Sequence, residues 1–172
     1  MTMESSRPNE LARRRTSQVL TPLALATPPM PAEQDVASVL RRLVAVCHES
    51  ESGLRAASRA ATLPCFRTML AKLSRQRGQL AAELQIELAK MDEELDHSGP
   101  VATGARGVWS DVLIAGDEGS LLFACERAEE TTIRAFEESR RRGLPAHVDA
   151  VIQRSADLVL DGVDHLQRVR RH

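Results

Sequence analysis

The sequence predicts an all-α protein, a four-helix bundle with one long crossover in the middle. Three observations carry that expectation. Apolar residues recur at alternating spacings of three and four through four long segments, the pattern of a helix with one buried seam. Aromatics make up 2% of the 172 residues, with no Tyr and one Trp, while 42% of the chain is hydrophobic. Such an aliphatic core suits helix-on-helix packing better than a sandwich, which wants β-branched and aromatic alternation. The third observation is the order of connections, which run short, long, short.

The length fits one domain with a tail. Residues 1–31 hold Pro8, Pro22, Pro28, Pro29 and Pro31 and read as a flexible N-terminal tail, leaving residues 32–172 for the bundle. The first long helix opens near Pro31-Ala32-Glu33, where proline and an acidic residue suit a first turn. Its inward positions are Val36, Leu40, Leu43, Cys47, Ser50, Leu54, Ala57 and Ala61, with a polar break at Ser50 and Glu51 beside it. Thr62-Leu63-Pro64 is a short connection, so the next helix packs antiparallel to the first. That second helix is expected from Pro64 to about Leu95, along Phe66, Leu70, Leu73, Arg77, Leu80, Leu84, Leu88 and Met91. Asp96-His97-Ser98-Gly99-Pro100 stops it.

A connection of about twenty residues follows, with a short helical segment expected over 101–115 around Trp109. The third long helix is expected from Glu118 to Arg142, closed by Gly143, and its seam runs Leu122, Cys125, Glu129, Thr132, Phe136. Leu144-Pro145 opens the fourth, which fits two phases almost equally. One phase points Val148, Val151 or Ile152, Ser155, Leu158, Gly162, His165 and Val169 inward; the other points Ile152, Val159, Val163 and Leu166. A bundle with a single long central crossover has the connectivity of ferritin-like folds.

Bulk charge removes several function classes. The formal net charge is −1, from 23 basic and 24 acidic residues. With no basic face and few rings to stack on bases, nucleic-acid binding is not expected. No run of about 18 apolar residues exists, so no membrane span is expected. Cys47, Cys65 and Cys125 form no C-x-x-C pair and are odd in number, which points to a reducing, cytoplasmic compartment. Arg13-Arg14-Arg15 followed by Val19 to Ala26 has the outline of an export signal, but Thr21 and Pro22 interrupt its apolar part.

The polar seam residues are the candidate site. Counting from the turns, Glu51, Arg77 and Glu129 fall near one level, so a buried charge network joining them is the favoured reading. The alternative is a carboxylate and histidine site for iron or manganese, drawing on Glu51, Glu126, Glu129 and His165. Ferritin-like di-iron sites take a Glu from each of two helices and an E-x-x-H from each of the others. Here the only E-x-x-H is Glu94-Leu95-Asp96-His97, at a helix end, and Arg77 opposes a cation at the expected level. No Gly-rich phosphate loop or nucleophile elbow is present, and no catalytic or organic cofactor-binding residue is expected.

From about Leu40 onward the chain resembles a bacterial family of small ferritin-like four-helix-bundle proteins, classed as a domain of unknown function. The resemblance lies in Cys47 to Gly53, Gln76-Arg77 through Glu83-Leu84, Arg106 to Trp109, Cys125-Glu126-Arg127 with Glu129, Leu144-Pro145 and His165. The family usually has Gly where this chain has Ala128, and Tyr where it has Leu54 and Phe136. The resemblance implies the ferritin-like fold, no established activity and an incomplete di-iron ligand set. The functional expectation is a non-catalytic structural or stress-associated binding protein. A homodimer is reasonable for the fold, and a protein partner could be taken through the N-terminal tail.

Overall fold

The computed structural model describes residues 33–92 and 109–171. Among these, five helices form and no strand: α1 (Glu33–Ala60), α2 (Pro64–Asp92), α3 (Ser110–Ile114), α4 (Glu118–Arg140) and α5 (Ala146–Arg170). The chain is an all-α bundle, as the seam spacing predicts. The expected tail, the far end of the second helix and most of the expected 101–115 helix lie outside the described residues. What is described of that short helix is the single turn and a bit of α3, behind Trp109.

Polar contacts fix the directions of the helices. Ser74 Oγ donates to the Glu51 carbonyl at 2.8 Å and Ser58 Oγ to the Arg67 carbonyl at 2.9 Å, so α1 and α2 form an antiparallel hairpin. Arg140 meets Asp149 at 3.2 Å beside the α4–α5 turn, and Arg170 meets Glu126 at 2.8 Å toward the far end, which makes a second antiparallel hairpin. Arg42 pairs with Glu138 at 2.9 Å at one end of the molecule. At the other, Glu118 accepts from the Thr62 and Leu63 backbone N–H groups at 3.0 and 3.1 Å and from the Thr62 hydroxyl at 2.6 Å. Helices α1 and α4 are therefore antiparallel, and α2 and α4 run the same way. The connection between α2 and α4 must travel the length of the bundle, and a long crossover is what allows that.

Local chemistry sets the ends. Asp117 is extended and accepts from the Ser120 backbone N–H at 2.9 Å, the N-cap that starts α4. Gly143, at φ +68°, takes the left-handed conformation that turns the chain out of α4. Helix α3 is held against α1 by Trp109. A Cβ on Gly53 would lie 2.1 Å from the indole ring, so only glycine at 53 lets that ring seat.

The four long helices occupy the corners of the bundle, with α1 packed on α2 and α4, α5 packed on the same two, and α2 diagonal to α4. The apolar core is divided in two. One part gathers Val36 to Cys47 of α1 with Leu80, Leu84, Phe136, Val148, Ile152 and Val159. The other gathers Leu54 to Ala61 with Leu70, Leu73, Trp109, Leu122, Cys125 and Leu166. Between them lies a level where α1, α2 and α4 contribute buried polar residues, Ser50, Arg77 and Glu129 with Thr132, and where Gly162 of α5 faces them. Ser155 of α5 is buried beside Ile152 and Val159 of the first part.

Candidate functional site in the polar layer

Helix periodicity alone carries these residues inside. Ser50 lies three residues after Cys47 and four before Leu54, so it cannot leave the α1 seam without dragging those apolar residues into water. Arg77 follows Leu73 and precedes Leu80 in the same way, and Glu129 lies between Cys125 and Thr132. All three are 0% exposed. Arg77 is the largest fully buried side chain among the described residues, ahead of Phe136. In a core with so few rings, a guanidinium and a carboxylate reach across the bundle diagonal.

The contacts form one chain. Arg77 Nε donates to Glu129 Oε2 at 2.7 Å, and Nη2 donates to the same oxygen. Ser50 Oγ donates to the other carboxylate oxygen, Oε1. Arg77 Nη2 also reaches the Val159 carbonyl of α5 at 3.4 Å. One carboxylate thus binds α1, α2 and α4 together, and the guanidinium extends the link to α5. Gly162 makes room for it: a Cβ there would stand 2.7 Å from Arg77 Nη2 and 3.2 Å from Leu73 Cδ2.

Charge is balanced within the layer, as burial demands. A lone buried ion is very unfavourable, whereas a hydrogen-bonded pair is tolerated. Two thiols flank it. Burial pushes the Cys47 thiol up to about 12, the Arg77 charge opposing and the Glu129 charge adding to the rise. Burial likewise pushes Cys125 up to about 12, with Glu129 adding to it. Both therefore remain protonated at neutral pH and behave as small apolar groups, without the thiolate that nucleophilic or redox work needs.

The structure places the sequence-predicted residues unevenly. Arg77 and Glu129 meet. Glu51 does not join them: its side chain, 24% exposed, pairs with Arg55 at 3.0 Å and His48 at 3.4 Å on the outer face. One residue of helix is a rotation of about 100°, so when Ser50 points in, Glu51 turns toward the α1–α2 groove. Glu126 is buried but faces α5, where it binds Arg170, whose guanidinium also stacks 5.4 Å above the Phe123 ring. His165 is exposed, on the rim of a shallow cleft with Phe66, Arg168 and Val169. Helix α5 settles mainly into the second of its two phases, burying Ile152, Val159, Val163 and Leu166 while keeping Ser155 and Gly162 inside.

The four suggested metal ligands do not converge, and no group of three or more His, Cys, Asp or Glu is placed to hold a metal among the described residues. The one carboxylate in the layer has its oxygens engaged by a cation and a hydroxyl. This donor set does not fit a di-iron centre of the ferritin-like type, which needs several acidic side chains at one level. The role of Gly162 escaped the sequence pattern. Its signal was a glycine inside a helix, which costs about 1 kcal/mol relative to alanine and asks for a packing reason.

Comparison with known families matches residues 35–141, more than half of the chain, to one described as a domain of unknown function, DUF2383. The match spans α4, where Glu129 sits, and the α1–α2 hairpin that supplies Ser50 and Arg77. A search of curated proteins finds no match.

Proposed function

The chain belongs to the DUF2383 family, and on that premise we propose that it is a ferritin-like, non-catalytic structural or binding protein whose polar layer sets helix register. The observation that carries this reading is the Arg77–Glu129 contact at zero exposure. A guanidinium stands where a second acidic ligand would have to stand, and it uses up the carboxylate that is there. Buried ion pairs add little net stability but can specify which helices meet and at what level. In a bundle built of near-interchangeable Leu, Val and Ala, a slip of one turn would strand Glu129 away from Arg77. The layer thus selects one register among several that would bury similar apolar area. Three free cysteines among the described residues support a reducing bacterial cytoplasm as its place. No described helix is long and apolar enough to cross a membrane.

Thermal unfolding with added Mn(II), and anaerobically with Fe(II), tests the absence of a metal role. A ligand held by the native state at 100 times its Kd would add about 2.7 kcal/mol to stability. The proposal expects no shift in the midpoint with either ion. A saturable rise that Glu129→Gln abolishes would overturn it.

A further inference from the structure

Where the first turn of α2 meets the last two turns of α5, the bundle surface holds a shallow cleft of about 340 Å³ lined by Phe66, His165, Arg168 and Val169. Small-molecule pockets start at about 300 Å³ and are mostly apolar, with a few polar groups that fix orientation. The lining follows that division. Phe66 and Val169 are half-buried and pack against the second apolar cluster, so they form an apolar wall. His165 and Arg168 are exposed, and their spacing of three puts them on one face of α5.

Arg168 differs from the other arginines of α5. Arg154 holds the Glu83 carboxylate at 3.2 Å, and Arg170 holds that of Glu126 at 2.8 Å. Arg168 instead donates from Nε to the Asp164 carbonyl at 3.2 Å, a backbone contact one turn back. No carboxylate pairs with it among the described residues. The Nε contact anchors the root of the guanidinium and leaves both Nη groups to donate. A planar pair of N–H groups matches the two oxygens of a carboxylate. The neighbouring His165 ring adds a further N–H. One uncompensated cation balances one negative charge, which a carboxylate carries, whereas a phosphate monoester brings nearly two. The apolar wall favours a ligand whose remainder leaves water when it docks.

We propose that this cleft binds a small organic carboxylate with an apolar body. The carboxylate docks on Arg168 and His165, and the body lies against Phe66 and Val169. The cleft shares no residue with the Ser50–Glu129–Arg77 chain, so the proposal does not rest on the register role of the polar layer.

The test is a titration of the full chain with phenylacetate, followed in amide proton–nitrogen correlation spectra. Phenylacetamide keeps the body and removes the charge; acetate keeps the charge and removes the body. The expected result is a saturable shift with phenylacetate, centred on Phe66, His165, Arg168 and Val169. Each control should bind more weakly by about tenfold, as should phenylacetate to Arg168→Gln. That variant should keep the wild-type far-UV circular dichroism, because Arg168 is exposed. If it does not fold, the two control ligands on the wild type decide the matter. No saturable shift at millimolar phenylacetate, or shifts centred elsewhere, would overturn the proposal. So would equal binding of phenylacetamide, equal binding of acetate, or an unchanged affinity in a folded Arg168→Gln.

Discussion

Replacing Glu129 by leucine removes the carboxylate that, among the described residues, neutralises Arg77. The substitution is close to isosteric, so little cavity is made and the electrostatic loss dominates. Arg77 would lose its Nε bond of 2.7 Å and its Nη2 bond to the carboxylate, keeping only the Val159 carbonyl at 3.4 Å. A guanidinium cannot escape by giving up a proton, since it stays charged inside proteins. Breaking a buried pair from one side costs about 3–5 kcal/mol. For a domain whose whole stability is about 5–15 kcal/mol, the variant would be marginal or unfolded. Arg77→Leu should cost less, because the carboxylate left behind keeps its hydrogen bond from Ser50. In the double variant both charges are gone and leucines face each other across the bundle axis. Urea unfolding of the four proteins at neutral pH reads the coupling directly. The double variant should recover much of the loss. Strictly additive effects would refute the idea that the two residues act as one unit.

Four further outcomes follow from the same geometry. Gly162→Ala should destabilise by about 1–3 kcal/mol despite the better helix propensity of alanine, because its methyl meets Arg77 and Leu73; a net gain in urea stability would show that Arg77 does not lie there. Gly53→Ala should expel Trp109 from α1, seen as a red shift of the single tryptophan's fluorescence, and an unchanged spectrum would contradict the docking of α3. The Glu118 carboxyl is held below the usual range, first by the Thr62 hydroxyl and then by the Thr62 and Leu63 backbone N–H groups. Its native state therefore binds protons less readily than the unfolded chain, so its contribution is present above the unfolded carboxylate pKa and lost as pH falls through the lower native value; the stability gap between wild type and Glu118→Gln should close in acid and would contradict the clamp if constant. Cys65 is exposed while Cys47 and Cys125 are buried with thiols raised to about 12. An aromatic disulfide reagent should therefore modify one thiol rapidly and the other two only with unfolding.

The architecture was largely legible because it depends on averages. Seam spacing over more than twenty residues survives a few polar intrusions, and the Thr62-Leu63-Pro64 turn dictates an antiparallel hairpin by its brevity. The site was legible to within one residue on α1. A helical seam covers a stripe wide enough that Ser50 and Glu51 both touch its edge, and chemistry favoured the larger charge. Geometry chose serine, since Leu54 and Cys47 fix the rotation of α1 and leave Glu51 to Arg55 and His48. On α5 the two phases differ by about one residue's rotation. The observed rotation lies between them, burying Val159, Val163 and Leu166 from one and Ser155 and Gly162 from the other. His165 then falls outside. Ser155 was on the predicted inward face, as its full burial confirms.

The central claim is that a charge pair, and not a metal, occupies the middle of this bundle. Elemental analysis tests it most directly, on untagged protein purified after growth with added iron and manganese. The account predicts no stoichiometric metal in the wild type and the same result for Glu129→Ala. One or two equivalents of iron or manganese per chain, lost in Glu129→Ala, would contradict it.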